Sequence, residues 1–237
     1  MIAKTLRLAP LLLAAACGGA ESPPAAEWGA RLASSPRFSG SPSNQVACTT
    51  CHEVAAGDER ILPGYSLIGA IDRPSFWGGY ETDLRGAVDS CLLFFMKGQR
   101  LDPAAADARA LFDYLATLGG AGEQDALAVT IVASIGGALP PGDAERGAAV
   151  HRLACAGCHG EAGSGAGRAV DDAPILPDQA SAEAAVLFPD VAPAVVFMEK
   201  VRHGPFFSVG GTMPFYSVEA LSDEDLAALL TFYGLTP

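Results

Sequence analysis

Cys48-Thr49-Thr50-Cys51-His52 and Cys155-Ala156-Gly157-Cys158-His159 stand 107 positions apart and share one pattern, Cys-x-x-Cys-His. In such a pentapeptide two thiols three positions apart can each add to a vinyl group of one porphyrin, while the next side chain offers imidazole to the iron. The two copies use four of the six cysteines and two of the four histidines in the chain. Two haem c groups are therefore expected, held by thioethers from Cys48 and Cys51 and from Cys155 and Cys158, with His52 and His159 as iron ligands. A structural zinc site is the competing reading of two Cys-x-x-Cys pairs. Zinc ribbons bring their pairs together within ~15 to 20 residues, whereas these pairs are far apart and each is followed at once by histidine.

The 237 residues exceed one small domain, and half of them are hydrophobic, enough for two modest cores. The N-terminus carries Lys4 and Arg7 and then a Leu/Ala run through Ala16 that ends at Cys17. This is a charged region followed by an apolar stretch too short to span a bilayer, the pattern of an export signal. Leu13-Ala14-Ala15-Ala16-Cys17 resembles a bacterial lipoprotein cleavage box, with leucine four residues before the cysteine instead of three. Residues 1–16 are read as a signal peptide of lipoprotein type, with a lipid anchor on Cys17. The expected location is the periplasmic side of a bacterial membrane, anchored or soluble after export. Residues 17–26 read as a flexible small-residue and proline tether.

Removing residues 1–16 leaves 13 basic and 27 acidic side chains, a net charge of −14. That surface excludes nucleic acid and anionic lipid as partners and suits a basic redox partner protein. Residues 141–237 hold 5 basic and 13 acidic groups and residues 39–120 hold 6 and 10, so the C-terminal half is the more attractive docking side.

Residues 27–120 read as the first haem unit. Glu27 to Ala33 suits a short helix. A second helix is expected with Asp102 as N-cap, Pro103 at its first position, Leu111, Tyr114, Leu115 and Leu118 on one face and Gly119-Gly120 beyond its end. Residues 121–142 form a connection whose apolar middle, Leu127 to Ile135, should pack against one or both units as an extended segment. Residues 143–237 read as the second unit. It opens with a helix from Asp143 into the second motif and closes with one from Leu221 to Leu235 that starts on Ser222 and Asp225. Residues 160–220, rich in Gly, Pro and Ala, should supply irregular backbone.

An N-terminal and a C-terminal helix flanking each motif resembles the cytochrome c fold, in which such helices cross beside the haem. The resemblance implies a mainly α protein of two tandem class I cytochrome c-like domains, each wrapped around a covalently attached haem c, and a function of passing single electrons between redox partners. Gly210-Gly211-Thr212-Met213-Pro214-Phe215 resembles the Met-Pro axial segment of class I cytochromes c. Met213 is accordingly the expected second ligand of the C-terminal iron, where a thioether raises the reduction potential.

The sixth ligand of the first haem is either Cys91 or Met96. Arg85 to Gly98 should be helical, and five positions at about 100° each place the two side chains roughly 140° apart, so an intact helix aims only one at a metal. Arg85, Asp89, Cys91, Met96 and Gly98, followed by Ala110-Leu111-Phe112-Asp113-Tyr114-Leu115, resemble thiosulfate dehydrogenases and related sulfur-oxidising dihaem cytochromes. There a cysteine ligates the active-site iron, which implies Cys91 as a catalytic ligand and an anionic sulfur substrate, with Arg73, Arg85, Lys97 and Arg100 as candidate cations. Val88-Asp89-Ser90 and Asp72 to Gly79 depart from that pattern. Export also permits a Cys91–Cys17 disulfide, which lipidation of Cys17 would preclude. Arg31 to Gly40 resembles the entry segment of dihaem peroxidases, a minor alternative, since those enzymes are longer and space their motifs more widely.

Overall fold

The computed structural model describes residues 24–120, 125–133, 139–206 and 211–235. The expected signal peptide, Cys17 and the tether up to residue 23 lie outside them. Among the described residues there are nine α-helices and no strand, only an isolated antiparallel bridge between Phe76 and Glu81. None of these helices is long and apolar enough to cross a membrane.

The architecture rests on two helix pairs that are built alike. Helix α1 (Ala25–Ala33) packs on α4 (Ala106–Thr117), and α5 (Ala144–Val150) packs on α9 (Asp223–Phe232). Each crossing is made possible by a glycine. A Cβ on Gly29 would meet Tyr114 Cβ at 2.6 Å and the Ala110 carbonyl carbon at 2.7 Å, and one on Gly147 would meet Phe232 Cβ at 2.6 Å and the Ala228 carbonyl carbon at 2.7 Å. These spacings are well below the ~3.5–4.0 Å of a carbon–carbon contact, so only hydrogen fits there. The first crossing buries Ala33, Leu111 and Leu115, and the second buries Val150, Leu226, Leu229 and Leu230.

The caps follow local chemistry. The Asp143 carboxylate accepts from Arg146 N at 2.7 Å and the Ser222 hydroxyl accepts from Asp225 N at 3.1 Å, as expected for N-caps. Asp102 behaves differently. Its carboxylate accepts from Ala104 N at 2.9 Å and its carbonyl from Ala105 N at 3.0 Å, closing a separate turn, and Ala105 is extended, so α4 starts only at Ala106. Helix α1 begins at Ala25, two residues before the expected start.

Residues 160–220, expected to be irregular, contain α7 (Asp178–Leu187) and α8 (Pro193–His203). Pro193 opens α8 at a position where a missing N–H costs nothing, and Gly204 ends it at φ 52°. Val201-Arg202-His203 forms the last turn of α8, with Arg202 2 % exposed.

Residues 125–133 are an extended strap lying over both halves. The Tyr65 hydroxyl donates to the Ala128 carbonyl, Thr130 N donates to Glu219 Oε2 at 2.9 Å, and a His203 ring nitrogen lies 2.6 Å from the Val132 carbonyl. The described part of the expected segment, Leu127 to Ala133, therefore packs against both halves; Ser134 and Ile135, its end, lie outside the described residues.

Candidate haem sites

The first motif forms the one-turn helix α2 (Cys48–Cys51). Thr50 stabilises it by accepting a hydrogen bond from Ala47 N at 3.0 Å through its hydroxyl. The chain then returns, and Gly64 N donates to the Cys51 carbonyl at 2.9 Å. This places the Tyr65 carbonyl 2.6 Å from His52 Nδ1, which must donate to it. The other ring nitrogen, Nε2, has no hydrogen-bond partner among the described residues. Such a backbone acceptor fixes the tautomer and orientation of a metal-binding imidazole. Burial holds the His52 pKa below its ordinary value, which keeps the ring neutral, the form that binds a metal. Gly64 was not singled out from sequence. A Cβ there would lie 2.5 Å from His52 Nδ1 and 2.8 Å from the Cys51 carbonyl, so the glycine makes room for the ring.

The second motif repeats the device. Helix α5 runs through a widened turn, residues 151–155, into α6 (Ala156–His159). His159 Nδ1 donates to the Pro174 carbonyl at 2.8 Å, Nε2 is again without a partner among the described residues, and burial again lowers the ring pKa. Behind it, buried His151 is held by two partners. Its Nε2 donates to the Gly160 carbonyl at 3.0 Å and its Nδ1 accepts from the Tyr233 hydroxyl at 2.6 Å.

The thiols of both motifs sit in apolar surroundings, which oppose ionisation. Burial pushes Cys48 up to about 11 and Cys155 up to about 12. Cys51 rises to about 12 through burial and then through the nearby thiols Cys158 and Cys48. The two motifs are therefore neighbours in space, and Ile61 N also donates to the Leu153 carbonyl at 3.1 Å.

His52, Cys48 and Cys51 open on a cavity lined mainly by apolar side chains. Both Cys91 and Met96 line it. The 140° separation expected for an intact helix does not hold because α3 (Leu84–Phe94) stops before Met96. Phe95 N and Met96 N both donate to the Cys91 carbonyl, at 3.1 and 3.2 Å, and Gly98 N donates to Leu92 at 2.9 Å with Lys97 at φ 52°. The last turn is widened beyond α geometry. Gly98 then packs where a Cβ would meet the Ser39 carbonyl at 2.5 Å. Burial pushes the Cys91 thiol well above its ordinary pKa, so a cation would be required to hold it as thiolate. Cys91 makes no disulfide among the described residues, and Cys17 lies outside them.

Of the four candidate cations only Arg73 lines the cavity, and one of its guanidinium nitrogens donates to the Ser66 and Ile68 carbonyls at 2.7 and 3.0 Å. Arg85 lies over the Phe112 ring, 4.9 Å from its centroid, and its buried Nη1 has no partner. Lys97 and Arg100 are exposed, with Arg100 3.8 Å from buried Asp89.

Met213 packs against the core of the second half together with Cys155. The segment that carries it is held by the end of α8. A Cβ on Gly204 would meet Phe215 N at 2.5 Å and the Met213 carbonyl at 2.7 Å. Buried Arg202 donates to the carbonyls of Tyr216, Ser217 and Leu221 at 3.2, 3.2 and 2.6 Å, and Tyr216 N donates to Val201 at 2.8 Å.

These residues fit haem c. Each site offers two thiols and one oriented imidazole, and the first adds an apolar cavity with two sulfur side chains on its lining.

Residues 142–232 match the family model for cytochrome c oxidase, cbb3-type, subunit III, a stretch that runs from the start of α5 to the end of α9. No curated protein sequence matches this chain. Among solved structures it is similar to the thiosulfate dehydrogenase TsdBA from Marichromatium purpuratum in its "as isolated" form, at 20% identity and a TM-score of 0.42. The match covers 87% of this chain and 45% of that one, so this chain spans less than half of that structure.

Proposed function

We propose, on the premise that residues 142–232 form a cytochrome c domain, that the chain is a dihaem c-type cytochrome that passes single electrons between redox partners. Its two tandem domains would be residues 27–120 and 143–237. Haem c supplies a reversible one-electron iron couple, and no bond-making residue is required of the protein. The chain's part is to hold, orient and shield. Cys48, Cys51, Cys155 and Cys158 anchor; His52 and His159 present Nε2; and Met213 gives the second site a thioether that raises its potential.

The observation that carries this reading is the repeated histidine tether, Nδ1 to a carbonyl 13 residues on in one case and 15 in the other. It recurs although the intervening sequences differ, and each half adds its own glycine-mediated helix crossing. Haem content per chain, measured by pyridine haemochrome and mass spectrometry, tests it. The wild type should carry two groups and Cys48→Ala/Cys51→Ala one. A wild-type ratio of one, or a double variant that retains two, overturns the proposal.

A second reading is favoured by one observation, the position of Cys91 on the lining of the first cavity. With Cys91 as the iron ligand the chain would be a thiosulfate dehydrogenase-like enzyme that delivers electrons through its second site. Cys91→Ala separates the two readings: an unchanged ferric spectrum at the first site points to Met96 and the carrier, and a lost thiolate signature together with lost thiosulfate oxidation points to the enzyme. The acidic surface suits a basic partner protein. Export with a lipid anchor at Cys17 completes the proposal and places it on the periplasmic side of a bacterial membrane.

A further inference from the structure

The stretch from Met213 to Ser217 has no regular secondary structure and turns its side chains toward different halves of the molecule. Phe215 and Ser217 line the first cavity, as does Pro214. Tyr216 belongs instead to the core of the second half, against which Met213 also packs, and its hydroxyl donates to the Ala154 carbonyl beside the second motif at 2.8 Å. The Tyr216 hydroxyl is held well above its ordinary pKa first by burial and then by the thiols Cys155, Cys51 and Cys158, which belong to both motifs. A segment one residue thick thus separates two places that each hold a Cys-x-x-Cys-His motif.

Aromatic rings clamp this segment from the first half. Trp77 and Phe95 stack with centroids 5.6 Å apart and planes 8° apart, and Phe215 contacts both, at 5.9 and 6.5 Å. Phe95 immediately precedes Met96, and Phe215 follows Met213 by two residues. Trp77 is also held at φ 54°, a conformation that a bulky residue adopts only when its surroundings impose it. Packed interiors transmit displacement because they have little free volume to absorb it, so a shift of the ring stack on one side moves the ligand-bearing backbone on the other.

We propose that residues 213–217 are a common wall between the two haem sites, and that Trp77 and Phe95, stacked against each other and in contact with Phe215, are positioning residues that couple the ligand geometry of one site to that of the other. The proposal rests on the dihaem reading and goes beyond it: two tandem domains could hold their groups independently, and this wall makes them one unit.

The decisive variant lies far from the site at which it is read. Trp77→Leu in the full-length holoprotein removes a ring 136 positions before Met213. Haem content is counted first, and the second site is then followed by its methionine-to-iron charge-transfer band and by potentiometric titration. The expected result is two haems, a changed methionine band and a shift of at least threefold in the reduction equilibrium of the second site, about 28 mV for a one-electron couple. Trp77→Phe, which keeps an aromatic ring in the stack, should restore both readings. Should Trp77→Leu fail to mature, Phe95→Leu removes the other stacked ring and is read in the same way. Two haems with an unmoved second site overturn the coupling while leaving the dihaem reading intact. A wild-type chain with one haem overturns both.

Discussion

Gly29→Ala tests whether helix crossing sets the stability of the first half. The new methyl carbon would stand 2.6 Å from Tyr114 Cβ and 2.7 Å from the carbonyl carbon of Ala110. Restoring a normal carbon–carbon contact of ~3.5–4.0 Å requires α1 and α4 to part by about 1 Å. A gap of that size forfeits roughly a quarter to a half of the dispersion energy of the atoms it separates, among them Ala33, Leu111 and Leu115, all under 3 % exposed. Overpacking costs typically about 1–3 kcal/mol, and the upper end applies because one obstacle is backbone that cannot swing aside. Alanine returns about 1 kcal/mol through its better helix propensity. The net loss is about 2 kcal/mol, or roughly 8–16 °C of melting temperature for a unit of this size. Thermal unfolding of the holoprotein, followed by far-UV circular dichroism, measures it. Gly147→Ala meets the same obstacles at Phe232 and Ala228 and should cost a similar amount. An unchanged or higher melting temperature in either variant would mean that helix propensity outweighs the crossing, and the packing argument would be wrong.

Gly64→Ala should displace the His52 ring and break its bond to Tyr65, and the ferric spectrum of the first site should lose low-spin character while that of the second is retained. Arg202→Met leaves the carbonyls of Tyr216, Ser217 and Leu221 without their buried donor; a loss of about 3–5 kcal/mol in urea unfolding is expected. His151 has a pKa lowered by burial, so the unfolded chain takes up its proton first as the pH falls. Its contribution is full above pH ~6.5 and is lost as the pH drops through the folded value, with a slope of at most about 1.4 kcal/mol per pH unit. Urea midpoints between pH 7.5 and 5 should fall for the wild type and fall less steeply for His151→Gln. Equal slopes would contradict a neutral, doubly bonded His151.

The two Cys-x-x-Cys-His motifs were legible because their pattern is local: five consecutive residues bring two thiols and an imidazole together. Asp143 and Ser222 were legible as caps for the same reason. Asp102 misled because its carboxylate could satisfy a nearer N–H, closing a turn where a helix start was expected. The end of α3 was hidden because the widening at Met96 is tied to Gly98 packing on Ser39, nearly sixty positions earlier. Helices α7 and α8 were masked by Ala- and Pro-rich composition, although Pro193 and Gly204 at the ends of α8 were available as punctuation. Gly64 and Arg202 had no local signature at all. The role of each depends on a partner at least twelve positions away, and a single sequence does not display such contacts.

The cavity beside the first motif is finished by Pro214, Phe215 and Ser217, some 160 positions after Cys51. As a nascent chain emerges from its N-terminal end, that pocket stays open on one flank until nearly the whole polypeptide has been made. On the dihaem reading, Cys48 and Cys51 would thus be open to haem attachment long before the enclosing residues arrive. Chains cut short before Pro214 would leave greasy lining bare to water, marking unfinished products for aggregation or proteolysis.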